Sequence, residues 1–168
     1  MSCATNIDNV QSPNHGYDMN YILSLTAENL NAYSSIVSTE GICVKANEWV
    51  DLPMLEMYKT YSLNNRSKYD FSDSFDVCVV ALGTNDASYL SAHPDYESQF
   101  KLDYIDLLSL IREKRPNAHI VCVYGMMNKN NKIESGINAA IQEMEDSKIS
   151  YKALSKDIQG AGGHPGIE

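Results

Sequence analysis

The sequence predicts an α/β fold, a three-layer α/β/α domain around a mostly parallel sheet, and three observations carry that expectation. Short runs with strand character alternate with stretches whose apolar residues recur at helical spacing. Val77 to Leu82 is an uninterrupted apolar run closed by Gly83, the pattern of a strand covered on both faces. The resulting order, αβαβαβαβ, demands crossover connections, and those make parallel neighbours with helices on both faces of the sheet.

Each element has its own reason. Tyr21, Ile22, Leu25 and Leu30 suggest a helix over about 17–30, and the β-branched stretch Tyr33 to Ser38 is short enough for a strand. Leu52, Leu55 and Tyr58, spaced by three, predict a helix that opens with Asp51 as its cap and Pro53 in its first turn. After the Val77 strand, Phe100, Tyr104, Leu107, Leu108 and Ile111 form one helical stripe, with Pro116 just beyond its basic end. Ile120 to Tyr124 reads as a buried strand. Ile133, Ile137, Ala140, Ile141 and Met144 repeat at helical spacing, and Ile149 to Leu154 makes a last short strand.

A flavodoxin-like sheet of this kind opens with a strand, and that strand is central in its order 2-1-3-4-5. Met1 to Asn14 shows no apolar alternation, so the expectation is a sheet lacking its first strand.

Composition narrows the function. The 168 residues, 43% hydrophobic and 21% charged, show no repeat or low-complexity divider, so residues 1–168 are expected to form one domain. A net charge of -9, with 13 Lys and Arg scattered against 22 acidic residues, excludes a nucleic-acid backbone binder. No apolar run approaches the roughly 20 residues that span a bilayer, so no membrane partner is expected. No signal peptide is visible in the polar stretch Met1 to Gly16, which leaves localisation open, with an extracellular setting consistent with an N-terminus truncated in this sequence. Cys3, Cys43, Cys78 and Cys122 form no Cys-x-x-Cys pair, and the histidines never pair at ligand spacing; neither a metal nor a cofactor is expected.

Chemistry in open parallel sheets sits at the carboxyl ends of the strands. There the sequence places Thr39-Glu40-Gly41, then Gly83-Thr84-Asn85-Asp86, then Gly160-Ala-Gly-Gly-His164-Pro-Gly166. A glycine amide, an asparagine amide and a histidine on one rim would supply two oxyanion donors and one general base. Asn85 and Asp86 are also ordinary turn residues, and His164 is equally the histidine of a plain loop. Trp49, eight residues past Gly41, is the best aromatic wall for a substrate cleft, although tyrosine and tryptophan pack cores just as readily.

Leu82-Gly83-Thr84-Asn85-Asp86 resembles the Gly-x-Asn-Asp block of the SGNH (GDSL-type) hydrolases. Gly41 falls where that superfamily has its oxyanion glycine, and Gly163-His164-Pro165 is similar to its terminal histidine block. Tyr69-Asp70-Phe71-Ser72, ahead of Phe75-Asp76, is similar to the lead of the family two carbohydrate esterases, which remove acetyl groups from polysaccharides. The resemblance implies a serine acetylesterase acting on a small-molecule or carbohydrate ester. In it His164 is the catalytic base, Gly41 and Asn85 are the oxyanion donors, and Gly83 and Asp86 support them.

Two departures accompany the resemblance. No Gly-Asp-Ser occurs, and Met1-Ser2-Cys3 resembles the stretch directly after that nucleophile, so the expectation is a chain truncated at both ends whose serine lies just upstream of Met1. The acid three residues before the histidine is replaced by Ala161, and Asp157 lies seven back. Ser2 is the alternative nucleophile, at a position where chains ordinarily fray. The competing function is a catalytically inactive carbohydrate-binding or vestigial hydrolase-like domain that retains the cleft without the nucleophile.

Overall fold

The structure, a computed structural model, describes residues 26–27, 29–46, 51–62, 64–127 and 129–156. The elements run α1 (Met54–Met57), β1 (Val77–Val80), α2 (Thr84–Ala92), α3 (Tyr96–Lys114), β2 (His119–Tyr124), α4 (Asn131–Met144) and β3 (Ile149–Ala153). The three strands form one parallel sheet in the order β1-β2-β3, with Val77 opposite His119 and Ile120 opposite Ile149. The α/β class, the parallel sheet and the two long helices stand as the sequence predicts.

Both crossovers, β1 to β2 through α3 and β2 to β3 through α4, step in the same direction, so their helices lie on one face of the sheet. The core forms there: Phe100, Tyr104, Leu107, Leu108 and Ile111 of α3 meet Ile133, Ile137 and Ala140 of α4 above Val80, Ile120 and Cys122. A Cβ on Gly136 would lie 2.8 Å from Phe100 Cδ1, so the absence of a side chain sets how closely α3 and α4 approach. Asn130 caps α4 by accepting the Lys132 and Ile133 amides at 2.9 and 3.4 Å, and Glu145 ends it in the left-handed region at φ 47°.

Four expectations need correction. Residues 32–39 form no strand, since no strand among the described residues lies beside them to take up their backbone groups. β1 stops at Val80 and is not covered on both faces: Val77 is 53% exposed and Val79 36%, because both described crossover helices pack on the other face. The short α1 is capped by Pro53 rather than Asp51, with Pro53 extended at ψ 163° and the following amides turned toward the preceding loop. Finally, the segment after Gly83 is not a loop but the helix α2, which the sequence reading passed over. The helix expected over 17–30 falls almost entirely outside the described residues.

Below the sheet's amino end, Arg115 is buried against two rings, 5.3 Å from the Phe71 centroid and 4.8 Å from that of Phe75, and donates to the carbonyls of Phe71 and Asp73. That clamp fixes the 69–76 approach to β1.

Candidate functional site

β1 delivers the chain through Leu82 to Gly83, which is buried at φ +120°. A Cβ there would sit 2.9 Å from Ile133 Cγ2 and 3.1 Å from Tyr124 Cε2. Only glycine fits this strand-to-helix turn, both for backbone angle and for space. α2 then starts at Thr84 and carries Asn85 and Asp86 in its first turn.

Facing that turn is the loop 41–46. Gly41 has φ 73°, and Ile42, Cys43 and Val44 are buried although they belong to no regular element. A buried irregular backbone must find partners for its polar groups, and here four of them are supplied by neighbouring elements. The first amides of α1 reach it, Met54 N to the Cys43 carbonyl and Leu55 N to the Val44 carbonyl, both at 3.0 Å. From the other side the Asn85 side-chain amide donates to the Ile42 carbonyl at 3.1 Å, and the Val44 amide donates to Asp86 Oδ1 at 3.1 Å. Lys45 closes the end of the loop on Asp103 and Asp106 at 3.3 and 3.4 Å.

Asp86 is fully buried. Tyr96, at the start of α3, donates its hydroxyl between Asp86 Oδ1 at 3.2 Å and Asp103 Oδ2 at 3.3 Å, and Gln99 Nε2 donates to Asp103 Oδ1 at 2.8 Å. Burial pushes the Asp86 carboxyl up to about 7, opposed by the Val44 and Tyr96 hydrogen bonds. The Tyr96 hydroxyl is driven far up by burial and by the two carboxylates. Lys45 is raised mainly by the charge of Asp103.

Of the residues singled out from sequence, Gly41, Gly83, Asn85 and Asp86 come together: Asn85 is bonded to the residue next to Gly41, and both Gly41 and Asn85 are only half buried, at the rim. His164, Trp49, Ser2, Asp157 and Ala161 lie outside the described residues. His119 is exposed and bonded to Ser150 Oγ at 2.9 Å; His93 ends α2 and stacks on Tyr89 at 4.2 Å. Among the described residues no group of three His, Cys, Asp or Glu is placed to hold a metal ion, and no helix is long and apolar enough to cross a membrane. Tyr96, Asp103 and Lys45 were not foreseen. Asp103 did leave a signal, a carboxylate set inside the apolar stripe between Phe100 and Leu107.

No family model matches the chain. The cellulase/esterase CelE of Acetivibrio thermocellus is 34% identical over 107 residues, which are 62% of this chain and 13% of that protein. An acetyl xylan esterase, Est2A, from the rumen bacterium Butyrivibrio proteoclasticus superposes with a TM-score of 0.73 at 26% identity, over 85% of this chain and 49% of that one. A family two carbohydrate esterase from Clostridium thermocellum, solved with cellohexaose, superposes with a TM-score of 0.77 at 22% identity, over 98% of this chain and 57% of that one. The chain has the SGNH-type fold of the family two carbohydrate esterases. It spans about half the length of these solved esterases and a much smaller share of CelE. In this esterase-type fold the Gly41 loop and the Gly83 turn stand at the carboxyl end of β1, where open parallel sheets carry their ligands.

Proposed function

We propose that this chain is the catalytic half of a carbohydrate esterase that removes acetyl groups by acyl transfer. The observation that carries the reading is the bond from Asn85 Nδ2 to the Ile42 carbonyl, which brings an asparagine amide beside Gly41 across 43 residues of sequence. An asparagine amide has two N–H groups. One is held by Ile42, which orients the plane of the amide, and the other is assigned to the substrate oxyanion.

In the reaction His164 takes the proton of a serine hydroxyl as the serine oxygen attacks the ester carbonyl. The tetrahedral oxyanion is held by the serine amide, the Gly41 amide and Asn85 Nδ2. Collapse expels the sugar alkoxide, which takes the proton back from His164 and leaves an acetyl-serine. Water repeats the sequence and releases acetate. No Gly-Asp-Ser occurs in the 168 residues, so the serine is assigned to sequence outside them. Trp49 is assigned to the wall of the cleft. The carbohydrate substrate follows from the likeness to esterases that include one solved with cellohexaose and one that acts as an acetyl xylan esterase.

The missing Gly-Asp-Ser equally supports a second reading, a domain that binds carbohydrate without cleaving it. Reading the coding sequence ahead of Met1 for an in-frame Gly-Asp-Ser run separates the two. In a gene product carrying that serine, Asn85→Ala should lower turnover of a chromogenic acetate by roughly two to three decades. An unchanged rate would reject the oxyanion assignment. Acetate hydrolysis by the 168-residue chain alone would place the nucleophile within it, Ser2 being the first residue to replace.

A further inference from the structure

Among the described residues Asp86 is a fully buried carboxylate in the first turn of α2, at the site, that the acyl-transfer steps leave unused. Its two oxygens do not do the same work. Oδ1 accepts the Val44 amide at 3.1 Å and the Tyr96 hydroxyl at 3.2 Å, whereas Oδ2 lies 3.4 Å from the same amide. Val44 stands two residues from Ile42, whose carbonyl holds Asn85. The carboxylate therefore fixes the same loop that carries Gly41, from the same turn that carries Asn85.

The surroundings make its charge conditional. Tyr96 has a single hydroxyl proton for two carboxylates. Asp103 is compensated by Gln99 and Lys45, whereas none of the described ion pairs involves Asp86. The other titratable groups that face it are Tyr104 on α3 and Tyr124 on β2, both buried and both with hydroxyls held above their ordinary range by burial. A proton taken up on Oδ1 turns that oxygen into a donor toward Tyr96, whose own proton then goes to Asp103. The Val44 amide is left with the longer contact to Oδ2.

We propose that Asp86 is the positioning residue of the oxyanion pair: its ionised carboxylate clamps Val44 and so sets the placement of Gly41 against Asn85, and proton uptake through the Tyr96–Asp103 link releases the clamp. The role as an oxyanion clamp rests on the esterase reading; the clamp itself does not. Burial that holds this carboxyl near 7 puts the change within the neutral range.

The test is a pH titration of the 168-residue chain by amide NMR between about pH 5 and 9. The Val44 amide should move downfield as pH rises, and the Asn85 side-chain protons should follow with the same midpoint. Tyr96→Phe removes a donor to the carboxylate and should shift that midpoint upward; Asp86→Asn should abolish it. A Val44 amide that stays flat in the wild-type chain overturns the proposal even if neither variant folds, as does a titration that survives in Asp86→Asn. In the protein that hydrolyses acetate, kcat should fall roughly ten- to a hundredfold in Asp86→Asn with KM within about twofold, the cost of a displaced donor. Titration of Val44 with no hydrolysis by the gene product that carries the upstream serine refutes the esterase reading and keeps the clamp; hydrolysis by that product with a flat Val44 does the reverse.

Discussion

Asn85 Nδ2 donates to the carbonyl oxygen of Ile42 at 3.1 Å, joining the first turn of α2 to a loop 43 residues earlier in the chain. The bond does two things at once: it satisfies a carbonyl in a buried, irregular stretch, and it fixes the rotamer of the amide. Asn85→Asp keeps the shape but removes the donor and turns an oxygen toward Ile42. The expected cost is about 1–3 kcal/mol of stability, read by urea unfolding, with loss of turnover at least as large as for alanine. Equal stability of the Asp variant and the wild type would show that the bond contributes nothing to holding the loop.

Gly83 answers to a different constraint. At φ +120°, with Ile133 Cγ2 2.9 Å from where a Cβ would stand, Gly83→Ala combines backbone strain with overpacking. Together these should cost about 2–5 kcal/mol in chemical denaturation. Adding Ile133→Ala should recover the steric part and leave the backbone part, so the double variant should be less destabilised than the two single losses summed. Simple additivity would show that the two residues do not meet.

Much of this fold is legible in the sequence because its signals are local. The stripe Phe100 to Ile111 and the stripe Ile133 to Met144 each span several turns with a clear buried face, and both stand as helices within a few residues of their expected ends. α2 escaped because Thr84-Asn85-Asp86-Ala87-Ser88 has too few apolar residues to show a helical face; it is held by the turn at Gly83 and by Asp86, not by a stripe. The strand expected over Tyr33 to Ser38 failed for the opposite reason, since β-branched residues favour a strand only where another strand pairs with it, and none of the described strands does. The approach of Gly41 to Asn85 was expected from the placement of both at the carboxyl ends of predicted strands and from the resemblance to the SGNH hydrolases. Nothing local to either residue encodes a contact this far apart in the chain. The carboxylate that shares the Tyr96 hydroxyl with Asp86 had a local trace, Asp103 within an apolar stripe, but that trace shows a buried charge and not what it faces.

The raised carboxyl of Asp86 also makes a thermodynamic prediction with a definite sign. An unfolded Asp releases its proton near 3.8, whereas in the folded chain burial delays that release to about 7. Between those values the folded state holds more protons than the unfolded one, so stability falls as pH rises through the window and is level above it. The usual acid-lability of a paired carboxylate is thus reversed at this residue. Asp86→Asn lacks the titration, so the wild type should lose ground to the variant as pH rises from about 4 to 7. Thermal unfolding of both proteins at a series of pH values isolates the effect from every other group. A constant difference in Tm across the window would show that Asp86 ionises normally in the folded chain.

Arg115 tests whether the fold can be weakened without touching the site. It lies at the amino end of β1 and β2, between the rings of Phe71 and Phe75, with the carbonyls of Phe71 and Asp73 as acceptors, whereas Gly83 and Asn85 stand past the other end of β1. A planar guanidinium can stack on two rings and donate sideways at the same time, which an ammonium cannot. Arg115→Lys should therefore cost nearly as much as Arg115→Met, about 1–3 kcal/mol, because both lose the stacked fork that donates to the carbonyls of Phe71 and Asp73. Urea unfolding reads the loss. In the 168-residue chain the Val44 amide titration should keep its midpoint in the Lys variant, since the clamp at Asp86 is built from residues the guanidinium does not contact. A shifted midpoint would mean that the 69–76 approach and the Gly41 loop are mechanically coupled through the sheet.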